Sequence, residues 1–292
     1  MDDRKKVVAF LVLTFAFSTP FYFLIISAGT VNVAGGLYVA AIMWCPGVAA
    51  LLTRLFFQQN LRGIGWRWGK TRYQISGYVI PLVAGVGVYG LVWTLGIGGV
   101  SAARLTSGGA DLFGIVRSAS LPLTLALVGT VGFLEMVIFV IGEELGWRGL
   151  LAPELAKLTG YTRASLITAV VWVVYHYPIL IFADYSSSAP VWYALLCFTV
   201  GISGGSFIAT WLRLRSGSVW TAVILHASHN LFTGVFDRLT VPNGLTEYIT
   251  TEFGAGLAVA YTLIAYWCWK QRASLPGFIS PNEVPQMAPQ TA

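Results

Sequence analysis

Eight long apolar blocks constrain this chain more than any other feature of its sequence. Each block is about twenty residues long, which is enough for a helix to cross a hydrocarbon core about 30 Å thick. Helices are favoured because a helix satisfies its backbone hydrogen bonds internally, as lipid requires. The composition agrees, since 56% of the residues are hydrophobic and 10% are charged, against roughly a quarter charged in soluble domains. The sequence therefore predicts an all-α polytopic membrane protein with about eight transmembrane helices, at residues 7–28, 33–57, 75–98, 121–151, 164–182, 190–212, 219–236 and 248–269.

The basic residues fall almost entirely on one side of this predicted topology. When both termini are placed on the same side, fifteen of the eighteen Lys and Arg residues lie with them, and the other three are Arg104, Arg117 and Arg238. Because short loops rich in Lys and Arg stay in the cytoplasm, both termini are predicted to be cytoplasmic, in the plasma membrane if the host is a prokaryote. The formal net charge of +6 then reflects topology in a lipid bilayer, and no nucleic-acid partner is expected.

The chain is predicted to form a single transmembrane domain, residues 1–275, followed by a disordered tail, residues 276–292. The first apolar block follows basic residues, as in a signal peptide, but it is too long and lacks a cleavage site, so we expect it to be retained. The tail is polar and contains prolines, a composition typical of disorder. Cys45, Cys197 and Cys268 are isolated in apolar blocks without metal-ligand spacing, and none is predicted to be functional.

Charged side chains inside apolar blocks are costly in a membrane and are usually functional. Glu144 and Arg148 are four residues apart, so on a helix they share a face and can form an ion pair. Glu143 is rotated by about 100° from its neighbour, lacks that partner and is predicted to face a cavity. The alternative is an ordinary helix end at which both glutamates are solvated. Glu135, two turns earlier, has no predicted role.

Histidine and asparagine side chains occur in two later blocks. His176 lies within the fifth block, where a lone histidine is either a hydrogen-bonded packing residue or a catalytic group. His226 and Asn230 are four residues apart in the seventh block and point from one helix face into the same space. His229 either lies beside His226 or faces another helix. These residues are candidate partners of Glu143.

The depths of these residues allow them to meet. At 1.5 Å per residue, His226 lies roughly 15 Å and His176 roughly 20 Å from the cytoplasmic ends of their helices. Glu143 reaches a comparable depth if its helix continues for roughly 12 Å beyond it, to a stop at Pro153. A shared pocket that opens toward the cytoplasm is then expected.

The fourth helix is consequently long, at about thirty residues. A helix longer than the bilayer is thick must tilt, or break where the backbone is weak. The sequence predicts that tilt or break near Gly129 or Gly132.

The ordered motifs resemble the CAAX protease and bacteriocin-processing family of intramembrane glutamic peptidases, which includes type II CAAX prenyl endopeptidases and lysostaphin-resistance-A-like proteins. The shared pattern is Glu-Glu-xxx-Arg, aromatic-xxx-His and His-xxx-Asn on separate membrane helices, here at residues 143–148, 172–176 and 226–230. The resemblance covers residues 121–236, the expected peptidase core, and the family has the same eight-helix architecture. One departure is Trp172, where the family usually has phenylalanine, and it changes the expected shape of the pocket.

The resemblance implies an intramembrane endopeptidase with the catalytic residues Glu143, His176, His226 and Asn230. Glu143 would be the general base, and His176 would orient the water that Glu143 activates. His226 and Asn230 would donate hydrogen bonds to the oxyanion, an interaction typically worth about 3 kcal/mol per donor.

The same resemblance gives Glu144 and Arg148 a structural supporting role and implies no cofactor. The substrate would be a peptide or protein cleaved in or near the cytoplasmic leaflet. In a host that prenylates proteins it would be a prenylated CAAX segment, and in an ordinary bacterium a secreted or bacteriocin-type peptide. No oligomeric state is predicted.

Three alternative interpretations remain open. Glu143, His176 and His226 are ligand types that zinc accepts, so a zinc-dependent endopeptidase could use the same residues. Residues 201–205 contain a Gly-x-Ser-Gly string, as in rhomboid serine proteases, with Ser203 as the nucleophile, although such small residues also pack membrane helices. The third alternative is a transporter or a non-catalytic immunity or scaffold protein, because intramembrane Glu, His and Arg also build proton relays.

Overall fold

The computed structural model describes residues 3–107 and 120–276, so Arg117 and the predicted disordered tail, apart from Pro276, lie outside the described residues. The helices in these two ranges are α1 (Asp3–Ala28), α2 (Leu37–Gln58), α3 (Thr71–Thr94), α4 (Ala102–Ser107), α5 (Leu121–Leu127), α6 (Phe133–Gly146), α7 (Ala152–Phe182), α8 (Val191–Ser216), α9 (Trp220–Leu239) and α10 (Ala255–Lys270). Short 3₁₀ turns lie at Val33–Gly36, Thr246–Tyr248 and Gln271–Ser274. Two short strands, β1 (Gly99–Val100) and β2 (Thr240–Val241), pair antiparallel.

Five helical segments are long and apolar enough to cross a membrane: Asp3–Ala28, Val33–Gln58, Thr71–Thr94, Leu121–Phe182 and Val191–Ser216. The fourth of these segments has 62 residues and contains two helical passes of the bundle. The two passes are separated at Gly160, which has a non-helical backbone with a φ of 77°. With α9 and the 16-residue α10, which are not among these five segments, the described residues form eight helical passes. The predicted all-α polytopic fold is confirmed.

The outer surface of these helices supports a membrane location. Large apolar side chains are exposed along the outside of the bundle, a distribution that would be a liability in water and that suits lipid. Examples from different helices are Val12, Phe23, Val83, Leu91, Leu134, Ile138, Val170, Leu196 and Leu263.

Two of the boundaries that differ from the prediction have a clear structural reason. The helix does not stop at Pro153, because a π-helical turn, Trp147–Leu151, places that proline in the first turn of α7, where its missing N–H is tolerated. The last span begins at Ala255 rather than at residue 248, because the preceding residues form a loop that contains Thr251 with a φ of 60°. The predicted break in the fourth span coincides with a second π-helical turn, Val128–Gly132.

Contacts between distant parts of the chain define two faces of the bundle. On the terminal face, Glu154 at the start of α7 binds Lys6 of α1 (3.5 Å) and Lys157 (2.9 Å). On the opposite face, Asp184 accepts hydrogen bonds from the Val31 amide and the Thr30 hydroxyl, both at 2.7 Å. The loops 29–36, 95–101, 183–190 and 240–254 therefore share the face opposite to the two ends of the helical domain.

The helix α6, which carries Glu143 and Glu144, lies between α2 and α9. Glycines make its contact with α2 unusually close. A Cβ atom on Gly142 would lie 2.6 Å from the carbonyl oxygen of Met43, and one on Gly47 would lie 2.7 Å from the carbonyl oxygen of Gly142. A Cβ atom on Gly146 would contact Pro46. These small residues bring the α6 backbone against α2 and fix the height of the glutamates, as small residues do between membrane helices.

Three arginines assigned to loops by the charge count are instead buried. Arg54, Arg148 and Arg213 are 2%, 0% and 7% exposed. Arg54 donates to the Arg62 carbonyl (2.9 Å) and to Glu154 (3.1 Å), and Arg213 donates to the carbonyls of Arg148 and Gly63, both at 2.9 Å. Because buried guanidinium groups must be hydrogen-bonded, Arg54 and Arg213 hold the loop 59–70 against the terminal end of the bundle.

Candidate active site

Glu143 is held by two indole rings. It lies in the last turn of α6 and is 2% exposed. Its Oε2 atom accepts hydrogen bonds from Nε1 of Trp147 (3.1 Å) and from Nε1 of Trp172 on α7 (2.6 Å). Because both donors bind one oxygen, the carboxylate has a defined orientation, and Oε1 is the oxygen to which neither indole binds.

Glu144 forms the predicted ion pair and one contact that was not predicted. Arg148 Nη1 lies 3.0 Å from Oε1 and 3.2 Å from Oε2 of Glu144, and both side chains are fully buried. Oε1 of Glu144 also lies 2.9 Å from Nδ1 of His226. Since a carboxylate accepts hydrogen bonds, Nδ1 carries a proton and Nε2 is the remaining functional nitrogen of that ring.

His176 has a similarly defined tautomer. Its Nδ1 atom lies 2.8 Å from the carbonyl oxygen of Trp172, which can only accept a hydrogen bond. In the neutral ring Nε2 is therefore an acceptor, suited to receive a hydrogen bond from water. The ring is half-buried against Phe198, with centroids 5.3 Å apart.

The four predicted catalytic residues line one cavity of about 380 Å³, here called the catalytic cavity: Glu143, His176, His226 and Asn230. They come from three helices, α6, α7 and α9. Glu135 is not among the lining residues. The structure thus brings together the residues that the motifs singled out, while the catalytic roles stay predictions.

The mouth of the catalytic cavity is on the face opposite to the termini. Its wall includes residues of the loops 29–36, 183–190 and 240–254, among them Asn32, Tyr185 and Glu252. The expectation that the pocket opens on the same side as the termini is therefore wrong. The reason is that the buried arginines and the loop 59–70 fill the terminal end, which the sequence could not show.

A second polar cluster lies across the catalytic cavity from Glu143. Nδ1 of His229 lies 2.9 Å from the hydroxyl of Tyr261, and its Nε2 lies 3.9 Å from Oε2 of Glu252. The Tyr185 hydroxyl donates a hydrogen bond to Oε1 of the same glutamate. His229, which had no assigned role, therefore faces α10 and the loop before it, and Glu252 is a carboxylate of the cavity wall that no motif indicated.

Trp172 is the residue whose role the sequence missed. The departure from phenylalanine was expected to change only the shape of the pocket. The indole ring instead donates to Glu143, lies 4.4 Å below the Arg148 guanidinium and is 5.3 Å from the His226 ring. The available signal was the indole N–H group inside an apolar block, because a buried indole N–H needs an acceptor.

Two of the alternative interpretations, a serine protease and a zinc-dependent enzyme, can be compared with the structure. Ser203 is not among the residues that line the cavities beside His226, and its neighbour Gly204 packs against α10, where a Cβ atom would lie 2.8 Å from the Tyr261 backbone. The Gly-x-Ser-Gly string is thus a helix-packing element, through Gly204 rather than Gly205. In the part of the chain that the structure describes, no three His, Cys, Asp or Glu side chains are grouped to hold a metal ion.

Fold and site together define a polytopic helical membrane protein with paired glutamates and histidines around an internal polar cavity. Residues 123–232 match the family model described as Type II CAAX prenyl endopeptidase Rce1-like. A curated relative, CAAX prenyl protease 2 of Methanococcus maripaludis, is 34% identical over 95 residues, which are 30% of this chain and 34% of the relative. The match thus spans about a third of the relative's length. The resemblance to the CAAX protease family is confirmed, and the segment matched by the family model contains every motif residue of the site.

Proposed function

We propose that this chain is an intramembrane endopeptidase that hydrolyses a peptide bond with a water molecule activated by Glu143 and His176. The observation that carries the proposal is the convergence of Glu143, His176, His226 and Asn230 on one cavity. The similarity of the same segment to CAAX prenyl endopeptidases supports the reaction class.

The first step is attack by water. A water molecule between Glu143 and Nε2 of His176 donates one proton to the carboxylate as its oxygen adds to the peptide carbonyl carbon. General-base assistance of this kind typically contributes about 10²–10⁴-fold to the rate. The two indole donors keep the carboxylate oriented, so that little reorganisation is needed when the proton moves.

The second requirement is stabilisation of the oxyanion. The Asn230 amide supplies one donor. His226 supplies the other through Nε2 when its ring carries a second proton, because Nδ1 is already committed to Glu144. Glu144 therefore acts as a positioning residue for His226 in addition to its ion pair with Arg148, since its hydrogen bond to Nδ1 fixes the tautomer and orientation of the ring.

Collapse of the tetrahedral intermediate completes the reaction. The carbon–nitrogen bond breaks, and Glu143 returns its proton to the leaving amine. The products are a new carboxyl terminus and a new amino terminus, and the carboxylate is ready for another water molecule. The overall reaction consumes one water molecule and needs no other reactant.

The substrate is a peptide or protein segment, of CAAX type with a prenyl group or of bacteriocin type without one, and the enzyme works in a lipid bilayer. The excess of Lys and Arg on the terminal face supports a cytoplasmic location for both termini. In a prokaryote the membrane is the plasma membrane.

The test is cleavage of two fluorogenic reporters by the purified full-length protein in lipid nanodiscs, one with a prenylated CAAX segment and one with an unprenylated membrane peptide. Glu143→Gln is expected to lower kcat for the cleaved reporter at least about 100-fold. The matched control is Glu135→Gln, a carboxylate two turns earlier that does not line the catalytic cavity. A Glu143→Gln enzyme that cleaves at the normal rate would defeat the mechanism, and a variant that keeps a cellular phenotype without cleavage would indicate a scaffold.

A chelator separates the zinc alternative from this mechanism. The proposed reaction is expected to proceed unchanged in excess of a strong chelator, with no stoichiometric metal in the purified protein. Loss of cleavage on chelation, with recovery on adding Zn²⁺, would assign Glu143, His176 and His226 to a metal instead.

A further inference from the structure

The catalytic cavity continues into a second, larger cavity. The larger cavity has a volume of about 870 Å³ and is here called the vestibule, defined by residues of 185–188, 230–237 and 240–253. Tyr185, Asn230 and Glu252 line both cavities. The two cavities therefore share a stretch of wall that contains Asn230, a proposed oxyanion donor, and the carboxylate of Glu252.

The vestibule lies at the face opposite to the termini. Its walls are the loop after α7, the end of α9 and the loop between α9 and α10. No described residue of the terminal-face loops 59–70 or 217–219 lines either cavity.

The terminal end of the same bundle is closed. Ile64 of the loop 59–70 is fully buried and packs with Leu145 and Val219. Arg213 donates to the carbonyl oxygens of Gly63 and Ile64, at 2.9 and 3.2 Å. A peptide could reach Glu143 from that side only if this loop were displaced and several buried hydrogen bonds were broken.

The lining of the vestibule suits a polypeptide. Hydroxyl and amide side chains surround it and can form hydrogen bonds with the backbone of an extended peptide. They include Ser186, Ser187, Ser188, Asn230, Thr233, Asn243, Thr246, Thr250 and Thr251. Its charged residues are all acidic, because Asp237, Glu247 and Glu252 line it and none of its described lining residues is Lys or Arg. The charges of Arg104 and Arg238 act on Asp237, and Glu252 is already hydrogen-bonded to Tyr185 and lies 3.9 Å from His229, so we assign the attraction for a cation to Glu247.

We infer that the substrate enters from the face opposite to the termini, through the vestibule, and carries positive charge on the part that remains there. The inference rests on the proposed function and adds the route and the class of substrate. With the termini in the cytoplasm, the route admits a peptide presented on the other side of the membrane. An unprenylated secreted peptide with basic residues fits it better than a cytoplasmic CAAX segment.

The route is tested by blocking each face with a bulky, membrane-impermeant maleimide. Ser188→Cys places a thiol in the vestibule and Gly244→Cys is a second position there, while Arg67→Cys is the matched control on the terminal-face loop. The natural cysteines are all buried, which keeps background labelling low. Each variant is compared before and after labelling in nanodiscs, and in intact cells for the side that the reagent reaches.

Labelling at Ser188→Cys or Gly244→Cys is expected to slow cleavage at least about tenfold, a change well above assay error. Labelled Arg67→Cys is expected to cleave at its unlabelled rate. In intact cells the vestibule thiols should react and the control thiol should react only after permeabilisation. Full activity of both labelled vestibule variants, or inhibition through Arg67→Cys alone, would overturn the route. Activity that Glu143→Gln does not abolish would instead defeat the proposed function.

The charge preference is tested with two reporters that differ only in a flanking Lys-Lys or Ser-Ser pair. Glu247→Gln is expected to raise KM for the Lys-Lys reporter about fivefold, the size of one charge interaction in a water-exposed site. KM for the Ser-Ser reporter and kcat should stay unchanged in this variant, as should KM for both reporters with Glu135→Gln. Equal changes for the two reporters would show that Glu247 supports the structure and does not select charge.

Discussion

Replacing Trp172 by phenylalanine removes one hydrogen-bond donor from Glu143 while keeping an aromatic ring in place. The ring is packed between the Arg148 guanidinium and His226, and phenylalanine can occupy most of that space. The lost bond is the shorter of the two to the carboxylate, 2.6 Å against 3.1 Å from Trp147.

The expected magnitude follows from that geometry. A hydrogen bond to a charged group contributes about 1.5–3 kcal/mol, and about 1.4 kcal/mol corresponds to a tenfold change in rate. If the full contribution of this hydrogen bond to orienting the Glu143 carboxylate were lost, the reaction would slow about 10- to 150-fold. Because Trp147 still holds the same oxygen, we expect the lower limit, a fall in kcat of about tenfold for Trp172→Phe. KM should be unchanged, since the bond does not involve substrate.

The assay is steady-state cleavage of the fluorogenic membrane-peptide reporter, with thermal unfolding of each variant measured in parallel. Trp147→Phe is the matched variant and should reduce kcat less, because it removes the longer bond. The double variant should lose more than the sum of the two changes in activation free energy, since the last indole donor disappears only there. An unchanged kcat in Trp172→Phe, or a change in KM alone, would show that the indole fills space and does not orient the base.

Three further outcomes are expected from other parts of the structure. Glu144→Gln leaves Arg148 buried without its anionic partner and should lower the free energy of unfolding by about 3–5 kcal/mol in a denaturant titration; a loss below about 1 kcal/mol would mean that the arginine finds another partner. Gly142→Ala should reduce both activity and unfolding temperature, because its Cβ would meet the α2 backbone at 2.6 Å, whereas Gly129→Ala, with no atom within 4 Å, should be tolerated; equal effects would refute the close contact as the cause. The hydrogen bonds from the Val31 amide and the Thr30 hydroxyl hold the pKa of Asp184 below its usual range. The stabilisation that they provide is therefore present at neutral pH and lost only as the pH falls through that lowered pKa, so Asp184→Asn should speed limited proteolysis of the loop 29–36 at pH 7 but not in acid.

Much of the architecture could be predicted from local properties of the chain. Apolar blocks of about twenty residues determine membrane helices because no other element satisfies its backbone in lipid. The four-residue spacing between Glu144 and Arg148 likewise determines an ion pair, because helix geometry alone puts the two side chains on one face. The ordered motifs on separate helices also predicted the resemblance to CAAX proteases and the residues that line the catalytic cavity, although the catalytic roles of these residues still require the experiments above.

Other properties were decided only by the tertiary structure. The partner of His226 is Glu144, 82 positions earlier in the chain, and Trp172 reaches Glu143 from 29 positions away; no local spacing encodes such contacts. The face on which the cavity opens was predicted wrongly, because depth along a helix does not reveal which end of a bundle is filled. That end is filled by the loop 59–70, whose backbone carbonyls are bound by the buried Arg54 and by Arg213, 150 positions away from Gly63. The sequence does not reveal whether the guanidinium group of an arginine faces lipid headgroups or is buried in the protein, and only the packing distinguishes the two.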